Sequence, residues 1–129
     1  MKIANLDHIV LTVQDIDRTV EFYTRVLGMK VKTFGPNQSR IGLTFGSQQI
    51  NLHQVGTDIN PLAGRPTPGS GDFCLIAETP IAEVVRELKE HGVDIELGPV
   101  QRSGALGMME SVYFRDPDGN LVEVANYPG

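Results

Sequence analysis

Three side chains in the sequence are of the types that hold a metal ion: His8, His53 and Glu123. Glu123 lies among valines in the segment NLVEVAN, whose alternating, β-branched pattern predicts a strand. An ionised carboxylate on a half-buried strand is costly unless a positive charge meets it, and this segment contains no Lys or Arg. Two imidazoles and one carboxylate would hold a divalent cation and leave coordination positions open for a substrate.

Each of these residues also has an ordinary structural interpretation. A single buried His is more often a hydrogen-bonded structural residue than a ligand, and Glu123 can also lean outward from an edge strand. The interpretation as a metal site therefore depends on the three residues occurring together, at equivalent places of a repeated pattern.

Other residues give weaker indications of function. Tyr113 is a candidate general acid or base, although a core tyrosine would show the same alternation. Phe73 and Met108 are candidates for lining a substrate pocket. Cys74 is expected in the core. The acidic segment 116–119 is interpreted as a turn between two strands rather than as a calcium loop.

The elements that must position these residues follow the same order in each half of the chain. In the first half, a strand containing His8 leads to Asp15, a good N-cap, and then to a helical stripe that ends at Gly28. Three strands follow, predicted at Lys30–Phe34, Ile41–Phe45 and Gln49–Val55. Segment 56–71, rich in Pro and Gly, is interpreted as a linker.

The second half repeats this order. A strand at Asp72–Glu78 precedes a helix that Thr79-Pro80 begins and His91-Gly92 ends. Further strands are predicted at Val93–Leu97, Ser111–Arg115 and Asn120–Asn126, and the glycine-containing stretch 98–110 is interpreted as a flexible loop.

The repeated order predicts an α+β fold of two tandem βαβββ modules, residues 3–55 and 72–127, within one domain of residues 1–129. Superimposing the halves places His8 opposite Phe73 and His53 opposite Glu123. If the first and last strands of a module are neighbours, His8 and His53 approach each other on its uncovered face, and Glu123 approaches them from the other module.

Composition excludes several classes of protein. The net charge of −5 and the scattered basic residues argue against nucleic-acid binding. No stretch reaches the roughly 20 apolar residues that span a bilayer, and the N-terminal segment contains Asp7 and His8, which are foreign to a signal peptide. With a single cysteine, the chain is expected to be cytoplasmic.

Three motifs resemble those of the vicinal oxygen chelate superfamily: LDHIVLTV, DIDRTVEFYTRVLGMKV and FRDPDGNLVEV. This superfamily includes glyoxalase I, bleomycin-resistance proteins, fosfomycin-resistance thiol transferases, methylmalonyl-CoA epimerase and type I extradiol dioxygenases. The chain most resembles its small single-domain members, called glyoxalase-domain-containing or virulence-associated proteins. The resemblance implies a cupped mixed sheet around a cleft, a bound divalent metal ion and a small-molecule substrate.

The resemblance also implies roles for individual residues. His8 and Glu123 match the ligands of the first and last strands. His53 lies at the fourth-strand position, where Glu or Gln is usual in glyoxalase I, and Phe73 lies at the fifth-strand position, commonly His. This departure argues against ordinary lactoylglutathione lyase activity. Fe or Mn would favour dioxygenase chemistry, and Ni or Zn would favour lyase or isomerase chemistry through an enolate-like intermediate.

Two other functions compete with the metalloenzyme. One is a metal-free protein that sequesters a ligand, as bleomycin-resistance proteins do. The other is a structural or regulatory protein whose metal only stabilises a dimer. A homodimer is expected in every case, because each half exposes a concave face, and the sequence leaves open whether the site forms within one chain or between two.

Overall fold

The computed structural model describes all 129 residues, which form two compact units, Met1–Pro68 and Gly69–Gly129. Each unit contains four strands and one α-helix in the order βαβββ. The expected α+β fold of two tandem βαβββ modules is therefore confirmed. The boundary between the units falls inside segment 56–71.

The first unit contains the following elements: β1 (His8–Val13), α1 (Ile16–Arg25), β2 (Lys30–Phe34), a 3₁₀ turn (Pro36–Gln38), β3 (Arg40–Phe45) and β4 (Gln48–Gln54). The strand order is β1-β4-β3-β2, with β1 parallel to β4 and the other pairs antiparallel. The first and last strands are thus neighbours, as expected.

Helix α1 begins and ends where its capping residues predict. The Asp15 side chain accepts a hydrogen bond from the Arg18 amide at 3.2 Å, and Gly28 has a φ of 68°, a conformation that glycine adopts without strain. Its buried side chains Phe22 and Tyr23 pack within the apolar core of this unit. The core of the sheet consists of Leu11, Val13, Leu43, Ile50 and Leu52.

The second unit contains the following elements: β5 (Asp72–Ile76), α2 (Ile81–Glu90), β6 (Leu97–Gly104), β7 (Gly107–Arg115) and β8 (Leu121–Asn126). The strand order is β5-β8-β7-β6, and β5 is parallel to β8. The buried side chains of α2 and of one sheet face form the core: Ile81, Val84, Leu88, Val112, Phe114, Val122 and Val124.

The predicted flexible loop at 98–110 is wrong. Strands β6 and β7 form a hairpin that pairs as far as Gly104 with Gly107, so most of this stretch is regular sheet. The predicted strand at Val93–Leu97 is also wrong, because only Leu97 belongs to β6. Gly104 and Gly107 suggested an irregular loop, but the paired strands extend the sheet as far as these two glycines.

The acidic segment 116–119 forms a hydrogen-bonded turn. One carboxylate oxygen of Asp116 accepts from the amides of Asp118 and Asn120, and the other accepts from the Asn120 side chain at 2.8 Å. The Asn120 side-chain oxygen accepts in turn from the Gly71 amide at 2.7 Å. Asp116 and Asn120 are both buried. Their hydrogen bonds join the β7–β8 turn to Gly71, the residue that precedes β5.

Neither α-helix has the length and apolar character needed to cross a membrane.

Candidate functional site

Glu123 lies on the polar face of the second sheet, which we define by Asp72, Cys74, Ser111, Tyr113, Arg115 and Glu123. Within this face, Glu123 on β8 pairs with Cys74 on β5 and with Tyr113 on β7. Directly paired residues project to the same side of a sheet, so a thiol and a phenol flank the carboxylate. Phe73 pairs with Val122 and therefore lies on the opposite, apolar face.

The placement of Phe73 changes the equivalence between the two halves. Strand β1 begins at His8 and β5 begins at Asp72, so these two residues hold equivalent places in the two units. His8 pairs with Gln49 on β4, and Asp72 pairs with Leu121 on β8. Two residues farther along the last strands, Asn51 is therefore equivalent to Glu123. The superposition that put His8 opposite Phe73 is therefore displaced by one residue, which moves a side chain to the other face.

The carboxylate of Glu123 is partly unsatisfied. Its Oε2 atom is buried and has no hydrogen-bond partner. Burial and the negative charge of Glu123 together raise the pKa of the Cys74 thiol to about 11. One oxygen of the carboxylate is thus shielded from water and lacks a hydrogen-bond partner.

Cys74 does not lie in the core, as the sequence suggested, but is exposed. Strand β5 is at the edge of its sheet, so a side chain on its polar face has neighbours on one side only. The residue is thus exposed, while its thiol lies beside Glu123 and is partly buried there.

Tyr113 has a charged neighbour on each side. Burial and the negative charge of Glu123 raise the pKa of the Tyr113 hydroxyl, whereas Arg102 lowers it. The net effect is a raised pKa. The guanidinium carbon of Arg102 lies 5.7 Å from the centroid of the Tyr113 ring, in cation–π contact. The hydroxyl therefore stays protonated at neutral pH and can donate a proton or a hydrogen bond.

His8 lies at the start of β1 on the polar face of the first sheet, which we define by His8, Thr12, Gln49, Asn51 and His53. Its Nδ1 atom is 2.8 Å from Oδ2 of Asp7. A carboxylate in this position fixes the ring so that Nε2 is free for another ligand, as in many metal sites. Gln49, the residue paired with His8, is in turn hydrogen-bonded to Asn51.

His53 is not the strand neighbour of His8. It pairs with Thr12, four residues farther along β1, which corresponds to about 13 Å along the strand. Two ring nitrogens that share one ion lie within about 4 Å of each other, twice the metal–nitrogen bond length. The register therefore argues against the close approach of His8 and His53 that the sequence suggested.

His53 is nevertheless an unusual residue. It is only 8% exposed, and its Nδ1 atom has no hydrogen-bond partner. Burial, aided by the positive charge of Arg40, lowers the pKa of the imidazole. His53 is accordingly neutral at pH 7, which is the protonation state that metal ligands require.

The donor types present fit a divalent ion. His8 with its orienting Asp7, the neutral His53 and the buried Oε2 of Glu123 are ligands of the kind that Fe, Mn, Ni or Zn accept. Within neither unit do three or more His, Cys, Asp or Glu side chains gather closely enough to hold an ion.

Met108 lines a cleft at the edge of the second unit, close to the end of the hairpin. This cleft has a volume of about 330 Å³ and is lined by Gln101, Met108, Met109, Glu110, Asn126, Tyr127 and Pro128. Glu123, Tyr113 and Phe73 are not among the lining residues. The pocket prediction for Met108 therefore concerns a different place from the neighbourhood of Glu123.

Sequence reasoning missed Arg102, Gln49 and Asn51. Arg102 was hidden because its strand was interpreted as a loop. Gln49, Asn51 and His53 alternate along β4, and this row of polar residues was the available signal for a functional face.

The model of the Glyoxalase/Bleomycin resistance protein/Dioxygenase superfamily matches residues 5–124. Virulence protein STM3117 of Salmonella typhimurium is 52% identical over 127 residues, which cover 98% of this chain and 87% of that protein. Glyoxalase domain-containing protein RDO1 of Mycosarcoma maydis is 49% identical over 127 residues, covering 98% and 70%.

A solved structure agrees with these relatives. An integron cassette protein from the mobile metagenome of V. Cholerae superimposes with a TM-score of 0.96 at 51% identity, covering 99% of this chain and 98% of that one. Because the family model spans nearly the whole sequence and close relatives share half of their residues, the chain belongs to the Glyoxalase/Bleomycin resistance protein/Dioxygenase superfamily.

Proposed function

We propose that the chain is a divalent-metal-dependent enzyme that acts on a small substrate bound through two adjacent oxygens, with His8 and Glu123 as metal ligands and His53 as the candidate for a third. The reaction is of the lyase or isomerase type, or of the ring-cleaving dioxygenase type. The observation that carries the proposal is the buried, unpartnered Oε2 of Glu123. Superfamily members commonly use divalent metals, which supports it further.

The three ligands do not have equal support. His8 already has the carboxylate partner that orients metal-bound imidazoles. Glu123 has a buried acceptor that a cation would satisfy. His53 has the required neutral ring, but its place four residues from His8 in the register makes it the weakest of the three.

A bound ion would polarise the two substrate oxygens. The chain's own contribution is to supply a proton donor: Tyr113, with its raised pKa, holds its phenolic proton beside Glu123. The exposed edge at Cys74 leaves a route by which a small molecule reaches this face.

The proposal includes a homodimer and a cytoplasmic location. Superfamily members often form dimers, which supports the first of these. The proposed metal is Fe, Mn, Ni or Zn, and the choice among them decides between the dioxygenase and lyase branches.

Metal content tests the ligand set directly. The purified chain is incubated with each of the four ions, dialysed and analysed by mass spectrometry for bound metal. Wild-type protein is expected to retain one ion per chain, and His8→Ala and Glu123→Gln are expected to weaken metal binding by about tenfold or more. His53→Ala tests the third ligand separately.

His91→Ala is the matched control, because His91 is the third histidine and lies at the end of α2. Unchanged metal binding in both His8→Ala and Glu123→Gln would remove the proposal. Tight binding of a drug or metabolite by the metal-free protein would favour the ligand-sequestering alternative instead. Turnover of a dicarbonyl–thiol adduct or of a catechol identifies the branch.

A further inference from the structure

The cleft near the end of the β6–β7 hairpin contains a row of three polar side chains. Gln101 pairs with Glu110 on the neighbouring strand, and Glu110 pairs in turn with Asn126. Directly paired residues project to the same side of a sheet, so the three side chains form one line across β6, β7 and β8. All three line the cleft, whose volume of about 330 Å³ is large enough for a small molecule.

This row lies on the opposite side of the sheet from the proposed metal ligand. Along β8, Asn126 is three residues from Glu123, and side chains alternate between the two faces of a strand. The residues that line the cleft include none of the proposed metal ligands. The cleft is therefore a separate place with its own chemistry.

Glu110 gives the cleft a negative charge that no basic side chain neutralises. It is exposed, and it takes part in neither of the two ion pairs of this unit. No Lys, Arg or His lines the cleft. Arg102 is near in sequence, but its guanidinium is held over the ring of Tyr113 on the other face. A cationic ligand would thus find an unpaired carboxylate.

Asn126 adds a second acceptor to the row. Its Nδ2 atom donates to the backbone carbonyls of Ala77 and Thr79, both at 3.0 Å. These two bonds use both N–H groups of the side-chain amide, so only the Oδ1 atom remains for a ligand. Glu110 and Asn126 therefore present oxygen acceptors on adjacent strands, and a ligand that matches them must carry hydrogen-bond donors.

The walls of the cleft suit an apolar chain. Met108 and Met109 line it, and methionine side chains adapt to irregular shapes. The ring of Tyr127 forms another wall, and its hydroxyl accepts a hydrogen bond from the Leu106 amide at 3.0 Å. A Cβ atom at Gly104 would clash with that hydroxyl oxygen, so the glycine allows the tyrosine to lie directly against the hairpin.

We propose that this cleft binds a small primary ammonium ion that carries a short alkyl chain. The ammonium group donates to the Glu110 carboxylate and to Oδ1 of Asn126, which are separated by one interstrand spacing of about 5 Å. The alkyl chain contacts Met108 and the Tyr127 ring. A metal ion fits less well, because Glu110 is the single His, Cys, Asp or Glu residue that lines the cleft, and metal sites use several such ligands.

The test is a two-dimensional NMR titration of the full chain, treated with a chelator, with n-butylammonium chloride. Saturable shifts are expected for the backbone amides of residues 101, 108–110 and 126–127. In Glu110→Gln, which keeps the shape and removes the charge, the affinity is expected to fall by about tenfold. n-Butanol has the same chain length without the charge, and it should bind wild type about tenfold more weakly than n-butylammonium.

A series from methylammonium to n-butylammonium tests the apolar walls. Each added methylene should raise the affinity about two- to fourfold if it is buried in the cleft. Met108→Ala removes part of one wall and should reduce this gain while leaving methylammonium affinity unchanged. An affinity that is independent of chain length in wild type would contradict the proposed contact with Met108 and Tyr127.

Glu87→Gln is the matched control, because it removes the same charge from an exposed position on α2 of the same unit, and it should leave amine affinity unchanged. Glu123→Gln should also bind the amine as wild type does. The spectrum of each variant reports whether it is folded. The inference is overturned if wild type and Glu110→Gln bind the amine equally, if n-butanol binds as well as n-butylammonium, or if wild type shows no saturable binding.

This inference does not depend on the proposed metal-dependent reaction. A chain that binds n-butylammonium through Glu110 but retains none of the four metals keeps the ammonium site and loses the reaction. A chain that retains metal through Glu123 but shows no saturable amine binding keeps the reaction and loses the ammonium site. Glu110→Gln itself should retain metal as wild type does.

Discussion

At the scale of single residues, the sequence shows which side chains could take part in chemistry, but not which side chains lie next to them in the fold. The carboxylate among valines identified Glu123, and the structure adds that its Oε2 is buried without a partner. The alternation in β5 was interpreted one residue out of register, which put Phe73 and Cys74 on the wrong faces. Period-2 alternation does not state which of the two faces is covered when an edge strand is apolar on both. Likewise, the strand register places His53 beside Thr12 and not beside His8, and no local sequence pattern encodes that register.

Cys74 provides a prediction about thiol reactivity. With its pKa raised to about 11, the thiol is almost entirely protonated at neutral pH and should react with iodoacetamide on the order of a hundredfold more slowly than a free cysteine. Glu123→Gln removes the neighbouring negative charge, so the pKa should fall and the reaction should accelerate. Alkylation rates followed by mass spectrometry across a pH series check both statements, and no competing thiol exists in the chain. Equal rates in the two proteins would show that the carboxylate does not act on the thiol.

His53 provides a prediction about stability and pH. Its pKa is lowered in the folded protein, so the unfolded state binds more protons at pH values between that lowered pKa and the ordinary one, about 6.5. The free energy of unfolding should therefore decrease as the pH falls through about 6.5, and His53→Gln should lose part of this decrease. Urea unfolding at about pH 7.5 and about pH 5 measures it, with His91→Gln as the control. A pH dependence that is identical in wild type and His53→Gln would contradict the lowered pKa.

At the scale of elements, the helices and most strands could be predicted from their apolar periodicity. The expected Thr79 cap of α2 is wrong by one residue, because Pro80 occupies the N-cap position and no side chain caps the helix. Asp15 and the positive φ of Gly28 mark the ends of the first helix as expected. The β6–β7 hairpin was missed because its residues, including Gly104 and Gly107, have low strand propensity. Pairing across the hairpin, rather than local preference, makes it a sheet, and such context routinely overrides β-propensity.

The register of β6 shifts between Leu97 and Val100, and Gly98 makes this possible. Gly98 has a φ of 112°, and a Cβ atom there would lie 2.4 Å from the backbone oxygen of Ser111. Gly98→Ala should therefore lower the free energy of unfolding by about 2 kcal/mol or more, since both the backbone strain and the clash with the neighbouring strand must be relieved.

Gly64→Ala is the matched control for this change. An added Cβ at Gly64 meets nothing within 4 Å, and the expected change in unfolding free energy is below about 1 kcal/mol. Urea midpoints of the two variants compare them directly. A Gly98→Ala protein as stable as Gly64→Ala would mean that β6 can shift away from Ser111 at little cost.

At the scale of the whole molecule, the internal repeat was the feature that the sequence encoded best. Two βαβββ units, each with its first strand parallel to its last, follow from the repeated order of helices, glycines and strands. A metal site is harder to predict, because the proposed ligands His8, His53 and Glu123 lie far apart in sequence and no local pattern states how they are arranged in space.

Each unit exposes large apolar side chains, including Val10 at 45%, Ile76 at 56% and Leu106 at 85%. If a second copy covers such residues, the native mass is twice the 14.1 kDa of one chain, and dilution lowers the midpoint of thermal unfolding. Light scattering and melting at two concentrations about a hundredfold apart check this prediction. A monomeric mass together with a melting temperature independent of concentration would exclude the homodimer.

The parallel neighbours β1–β4 and β5–β8 have a consequence for protein synthesis. The first strand of each unit pairs with the last strand of the same unit, which is synthesised later. The first strand therefore has no strand partner until the last strand has left the ribosome. The first unit can close once Gln54 has emerged, whereas β5 stays unpaired with β8 until Asn126 does. Nascent chains arrested at increasing lengths should therefore acquire protease resistance in two steps, the amino-terminal half first.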